Sequence, residues 1–213
     1  MIMHQIDGGV HAYHHGDLRR CLVDAALALV AEGQNWTFSL REVARRAGVS
    51  HNAPYHHFAD KRDLLTAVAA VGFAAVRKRM LAANAKAKNV QTALAMCAIE
   101  YVKFGIENPA HYRLMFGSGL VTERDDLPDT VRFASRDAQA VFKDIVYRGA
   151  HEGIFAVSSE NKKGVHIAAL SAWSAVHGLT LLAIESRTGS PPLRIERIVK
   201  TLTRTFLYGL IRR

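Results

Sequence analysis

The sequence predicts an all-α protein: an N-terminal three-helix helix-turn-helix domain joined to a larger C-terminal helical domain. Three observations point there. Apolar residues recur at three- and four-residue spacing through most of the chain, a helix-start signature at Ser39 is followed closely by a glycine turn, and Gly and Pro interrupt the later apolar stretches. The expected bounds are 13–63 for the small domain, with the fourth helix continuing to about 80, and 81–210 for the larger one.

Asp17 offers an N-cap for a first helix running to about Glu32, before Gly33. Leu18, Leu22, Ala25, Ala26 and Leu29 form its inward stripe. Ser39 and Glu42 make a capping box, the hydroxyl accepting from an orphan amide while the carboxylate reaches back to the cap amide. Leu40, Val43, Ala44 and Ala47 supply the second helix's apolar face, and Gly48 permits a turn that a side chain would strain. Ser50 is expected to cap the third helix. Pro54 removes an N–H near its start, which predicts distorted or 3₁₀-like geometry.

Asp60 and Asp63 mark a fourth helix through Leu64, Leu65, Val68, Val71 and Phe73. Arg77-Lys78-Arg79, with Lys86 and Lys88, reads as a basic linker or helix end. Further helices are expected near 90–106, 109–116, 129–152, 162–187 and 191–209. Gly117-Ser118-Gly119, the acidic stretch 123–128, Gly153 and Pro191-Pro192 read as interruptions or connections.

The formal charge of +9 does not locate a DNA-binding face, because residues 1–63 hold seven Lys/Arg and seven Asp/Glu. A long-range positive field assists encounter with a polyanion, but local arrangement must carry specificity. Apolar runs are broken before about 18 residues, so no membrane span is expected. Residues 1–9 lack the basic flank and apolar core of a signal peptide and read as a short arm. Cys21 and Cys97 stand apart without a CxxC pair, which favours buried thiols in a reducing cytoplasm over a metal site or disulfide. No metal or cofactor is expected.

The stretch from Phe38 to Ser50 and the run Tyr55-His56-His57-Phe58-Ala59-Asp60-Lys61-Arg62-Asp63-Leu64-Leu65 resemble the N-terminal pattern of TetR-family transcriptional regulators. Trp173-Ser174-Ala175-Val176-His177-Gly178 is similar to the Trp-His-Gly (WHG) signature of one regulatory-domain subgroup, as are 13–19 and 108–116 to segments found there. The resemblance implies a homodimer that binds a palindromic operator and, as a repressor, leaves it on binding a small effector. Pro54 departs from the aliphatic residue common in the motif, which puts the helix geometry in question.

His51, Asn52 and Ala53 occupy the start of the recognition helix, where base edges are met. Asn52 can pair with adenine, the Ala53 methyl can meet thymine, and His51 can contact a base or a phosphate. Arg41 is placed to reach DNA across the turn. Tyr55, His56 and Lys61 are candidates for phosphate, Lys61 beside the free amides of a helix start. Arg45 and Arg46 read either as solvated charge or as phosphate contacts.

In the larger domain Tyr101, Phe104, Tyr112, Met115, Phe116 and Phe142, with Trp173 and His177, are candidates to line an apolar effector cavity. Packed core with a satisfied histidine is the competing reading. Residues 165–184 are nearly apolar around the helix, which implies burial on more than one side, and Ile195, Ile198, Leu202 and Phe206 make a stripe on the last helix. The resemblance assigns these two helices to a dimer interface. A ligand-insensitive DNA-binding or interaction protein is the alternative. An enzyme is disfavoured, since HExxH, phosphate-loop, GxSxG and dinucleotide patterns are missing.

Overall fold

The computed structural model describes residues 15–117, 120, 127–185 and 195–210. Among these it contains eight α-helices, one 3₁₀ turn and no β-strand. The N-terminal arm, the connection around 118–126 and the Pro191-Pro192 break lie largely or wholly outside the described residues, as do Tyr13 and His14.

Helix α1 spans His15–Gly33, so it begins before Asp17, the expected cap position. Leu22, Ala25, Ala26 and Val30 bury its inner face. Helix α2 (Leu40–Arg46) starts at the expected box: the Ser39 N–H donates to Glu42 Oε2 at 2.6 Å, and the Glu42 N–H donates to Ser39 Oγ at 3.2 Å. Gly48 then takes φ +69°, the left-handed region that costs an L side chain energy.

The third element is a 3₁₀ turn, Ala53–His56, with no side-chain cap. Ser50 contributes its backbone carbonyl, accepting from the Ala53 N–H at 3.0 Å, and Asn52 stands at the cap position. The expected Ser50 cap is therefore corrected. Pro54 has no N–H to extend an i→i−4 ladder, so three-residue bonds close the turn instead.

Helix α3 (Lys61–Ala85) is capped by Asp60, which accepts from the Asp63 N–H at 2.8 Å. It runs past the expected end near 80 because Val76, Met80 and Ala83 extend its buried stripe. Arg77, Lys78 and Arg79 are consequently helix interior, not a linker, and Arg79 pairs with Glu107 at 2.6 Å.

Helices α4 (Val90–Glu107), α5 (Pro109–Phe116), α6 (Asp129–His151), α7 (Lys162–Ile184) and α8 (Ile195–Leu210) pack around α3 and one another. The core is continuous from Leu22 to Val199. Asn89 and Asn161 cap α4 and α7 through their side-chain oxygens, each accepting at 2.8 Å. Helix α7 is, among the described residues, the one helix long and apolar enough to cross a membrane, with a mean hydropathy of 1.7 over its most apolar window. It packs on α4, α6 and α8 through Val165, Ala169, Ala172, Val176 and Leu179, while Ile167 and Leu182 face outward. Within the single chain α7 thus has a buried face and an exposed apolar one.

A Cβ at Gly48 would meet nothing within 4 Å, so its requirement is conformational alone. Gly48→Ala is expected to cost about 1–2 kcal/mol, and Ser39→Ala about 1 kcal/mol through the lost cap. Ser39→Thr, which keeps the hydroxyl that bonds both the Glu42 N–H and its carboxylate, is expected to hold its stability, all three read by thermal unfolding.

Candidate nucleic-acid interface and effector region

The turn between α2 and the 3₁₀ segment sorts its side chains by face. Ala53, Pro54 and Phe58 are buried, whereas His51, Asn52, Tyr55 and His56 are exposed, Tyr55 at 54%. The buried trio packs the small helical unit, with the Arg19 guanidinium over the Phe58 ring at 5.0 Å. The exposed four form one edge. Ala53 is only 8% exposed, so its methyl is spent on packing against the domain and is not offered to a thymine; that expectation is corrected.

Arg41 and Arg45 project from the exposed side of α2. Arg46 is engaged elsewhere: its Nη1 donates to Glu32 Oε2 at 2.7 Å and its Nη2 to Oε1, tying α2 to α1. That bond holds the Glu32 carboxyl below the usual carboxylate range. Lys61 sits at the first position of α3 with its Nζ 5.3 Å from the Phe38 ring centre. Since Asp60 already occupies the Asp63 amide, an incoming anion at this helix start would find Lys61 and the amides that precede Asp63.

In the larger domain the structure brings six of the eight predicted residues together, Tyr101, Tyr112, Phe116, Phe142, Trp173 and His177, but as a filled box. Trp173 Nε1 donates to Tyr101 Oη at 3.1 Å, Tyr112 Oη donates to Tyr101 Oη at 3.0 Å, and both hydroxyls lie against His177 Nδ1, at 3.2 and 2.6 Å. With the indole already donating into the ring of partners, the protons balance when Nδ1 accepts one of the phenols. Burial agrees, pushing the His177 pKa down and the Tyr101 and Tyr112 pKa values up, so all three stay neutral.

Rings close the remaining space. Phe116 lies 4.5 Å from His177 and 4.8 Å from Tyr112, Trp173 stacks on His177 at 5.1 Å, and Phe142 meets Tyr101 edge-on at 6.2 Å. Phe104 packs beside His111, and Met115 abuts Gly72. The expected apolar cavity among these residues is therefore not open. Open space lies next door, in a cleft of about 320 Å³ between α6 and α7 whose wall includes Trp173.

Sequence reading missed His111. Its Nε2–H donates to the Val68 carbonyl of α3 at 2.7 Å, and a Cβ on Gly72 would collide with the His111 ring and with Met115 Sδ. Helix α5 is thereby seated on α3, the helix that leads from the DNA-facing unit. The signal was present as a histidine two residues past the Pro109 helix start, but its partner lies 43 residues away. Among the described residues no cluster of His, Cys, Asp and Glu is placed to hold a metal. The Cys97 thiol donates to the Met80 carbonyl at 3.2 Å and is pushed by burial to a pKa of about 12.

Two families match the chain. Residues 22–68 match "Bacterial regulatory proteins, tetR family", and residues 94–206 match "Tetracyclin repressor-like, C-terminal domain". Solved structures share the architecture. A protein of unknown function from Rhodococcus sp. RHA1 is 27% identical, with a TM-score of 0.79 over 95% of this chain and 100% of that one. A TetR family transcription regulator from Marinobacter aquaeolei VT8 is 16% identical, TM-score 0.66, over 93% and 97%. The transcriptional regulator FadR from Bacillus subtilis, in complex with stearoyl-CoA, is 13% identical, TM-score 0.70, over 89% and 98%.

His111 is 6% exposed, and burial lowers its pKa from the ordinary 6.5, as it does that of His177. Above about pH 6.5 both folded and unfolded chains keep these rings neutral, so they add no pH dependence. Below it the unfolded chain takes up protons that the folded one refuses, and stability falls with pH. The expected slope for His111 is up to about 1.4 kcal/mol per pH unit. His111→Gln is expected to remove that contribution, read as a flatter profile of unfolding midpoint between pH 7 and 5.

Proposed function

This chain belongs to the TetR family of DNA-binding transcription regulators, and on that premise we propose that it is a homodimeric repressor released from a two-fold operator by an effector. The observation that carries the operator reading is the sorted edge: His51, Asn52, Tyr55 and His56 exposed, Ala53, Pro54 and Phe58 buried beneath them. Asn52 is the adenine reader, His51 a base or phosphate contact, and Arg41, Tyr55, His56 and Lys61 hold phosphate. Of the second helix's other cations, Arg45 remains available for phosphate, while Arg46 serves α1.

The outward face of α7 supports pairing of two copies. Ile167 and Leu182, 52% and 46% exposed, flank Ser171, Ser174 and Gly178 at helical spacing, and a Cβ on Gly178 would meet nothing within 4 Å. Small residues between apolar ones let a second helix approach closely. Pairing through α7 and α8 would set two reading edges about 34–36 Å apart, one duplex turn. DNA as partner supports a cytoplasmic location. The Trp-His-Gly subgroup reading rests on residues 173–178 and on the likeness of 13–19 and 108–116 to segments found there.

Effector response is supported by the buried hydrogen-bonded box joining α4, α5 and α7, and by the His111 link from α5 to α3. The Bacillus subtilis FadR holds stearoyl-CoA on this fold, which supports a ligand role for the C-terminal helices here. A ligand favouring one arrangement of these helices shifts the population away from the operator-competent state.

Genomic operator mapping with the purified protein tests the reading: a short two-fold motif is expected, and uniform binding to unrelated duplexes would overturn it. Asn52→Ala is expected to cost about 1–3 kcal/mol on the cognate site and relax sequence choice. Lys61→Ala should weaken cognate and non-cognate binding alike and lower the salt slope by about one. Gly178→Leu fits the open space of a single copy, so it is expected to leave the helical fold intact while light scattering shows loss of the dimer and operator affinity falls.

A further inference from the structure

The cleft between α6 and α7 has a composition unlike the aromatic box beside it. Helix α6 presents Arg136 and Lys143 two turns apart, with Ala140 between them. Helix α7 presents His166, Leu170 and Trp173 on the facing wall. The floor is thus apolar and the rim carries two fixed positive charges and an imidazole. The other two arginines of α6, Arg132 and Arg148, are paired with Asp129 and Asp144, whereas Arg136 and Lys143 take part in no salt bridge among the described residues.

We propose that this cleft binds a small anionic amphiphile, an apolar chain or ring ending in one carboxylate or phosphate. Its anionic end meets Arg136 and Lys143 and its apolar body lies along Ala140, Leu170 and Trp173. The cleft volume, about 320 Å³, falls at the lower end of small-ligand sites. Arginine and lysine suit a carboxylate or phosphate, the former through a two-pronged hydrogen bond.

Trp173 gives the site its consequence. One part of the indole lines the cleft, while its N–H donates to Tyr101 and its ring stacks on His177. A ligand that turns this ring disturbs the hydrogen bonds joining α4, α5 and α7. That consequence rests on the repressor reading above; the binding itself does not, and the two are measured apart.

The test uses the full-length protein with Trp36→Phe, leaving Trp173 as the sole indole of the chain's two. Its fluorescence is titrated with decanoate, decyl phosphate and decan-1-ol. At least one anion is expected to bind ten-fold or more tightly than the alcohol, and the preferred anion distinguishes carboxylate from phosphate. Arg136→Gln/Lys143→Gln, both at exposed positions, is expected to erase that preference with an unchanged unfolding midpoint. Ala140→Phe should abolish binding by filling the cleft while leaving Trp173 the sole indole. Equal binding of alcohol and anions, undiminished anion binding by the double variant, or no titration of Trp173 by any probe would overturn the proposal. Repeating the titration on the operator complex separates the readings: saturable anion binding without release upholds the site and overturns its role as the effector site.

Discussion

Helix α3 is buried along most of its length, and the arrangement of everything else depends on what it packs against. Its 25 residues span about 37 Å. Leu64, Leu65 and Val68 lie in the continuous core near the DNA-facing unit, and Phe73, Val76 and Met80 carry that core into the larger domain. One rigid element therefore belongs to both halves. Gly72 sits at the point where α5 comes closest, with His111 holding the Val68 carbonyl one turn earlier. A change in how α5 sits is felt by the same helix whose first residue is Lys61.

Above that contact, two buried phenols meet the half-buried Trp173 and His177, an arrangement that is costly unless each polar group finds a partner. Tyr101, Tyr112, Trp173 and His177 solve this among themselves, and no buried side-chain nitrogen or oxygen among the described residues is left without a bond. Because the four come from α4, α5 and α7, the same bonds that satisfy them fix three helices relative to one another. A group of phenylalanines in these places would fill the space but impose no such register.

Helix α7 divides its circumference among three tasks. One face enters the core, a second holds Trp173 and Leu170 toward the α6 cleft, and a third carries Ile167, Ser171, Ser174, Gly178 and Leu182 outward. Its composition is apolar nearly all round, and composition does not separate these faces. Only the positions of α4, α6 and α8 do.

The sequence by itself determined the helices and their punctuation, because caps, turns and periodicity act within a few residues. The Ser39–Glu42 box, the Gly48 turn, the distortion at Pro54 and the span of α5 are all local matters, and so was the family resemblance carried by residues 38–65 and 173–178. Tertiary structure decided how individual side chains are used. Ala53 went to packing, Arg46 to Glu32, Arg79 to Glu107, and the aromatic residues expected around a cavity filled it. The last three outcomes depend on a neighbour 14 to about 70 residues away, a distance over which spacing in the chain carries no information about contact. The cleft is the clearest case: Arg136 and Lys143 read as solvated helix charge until α7 lays Leu170 and Trp173 opposite them.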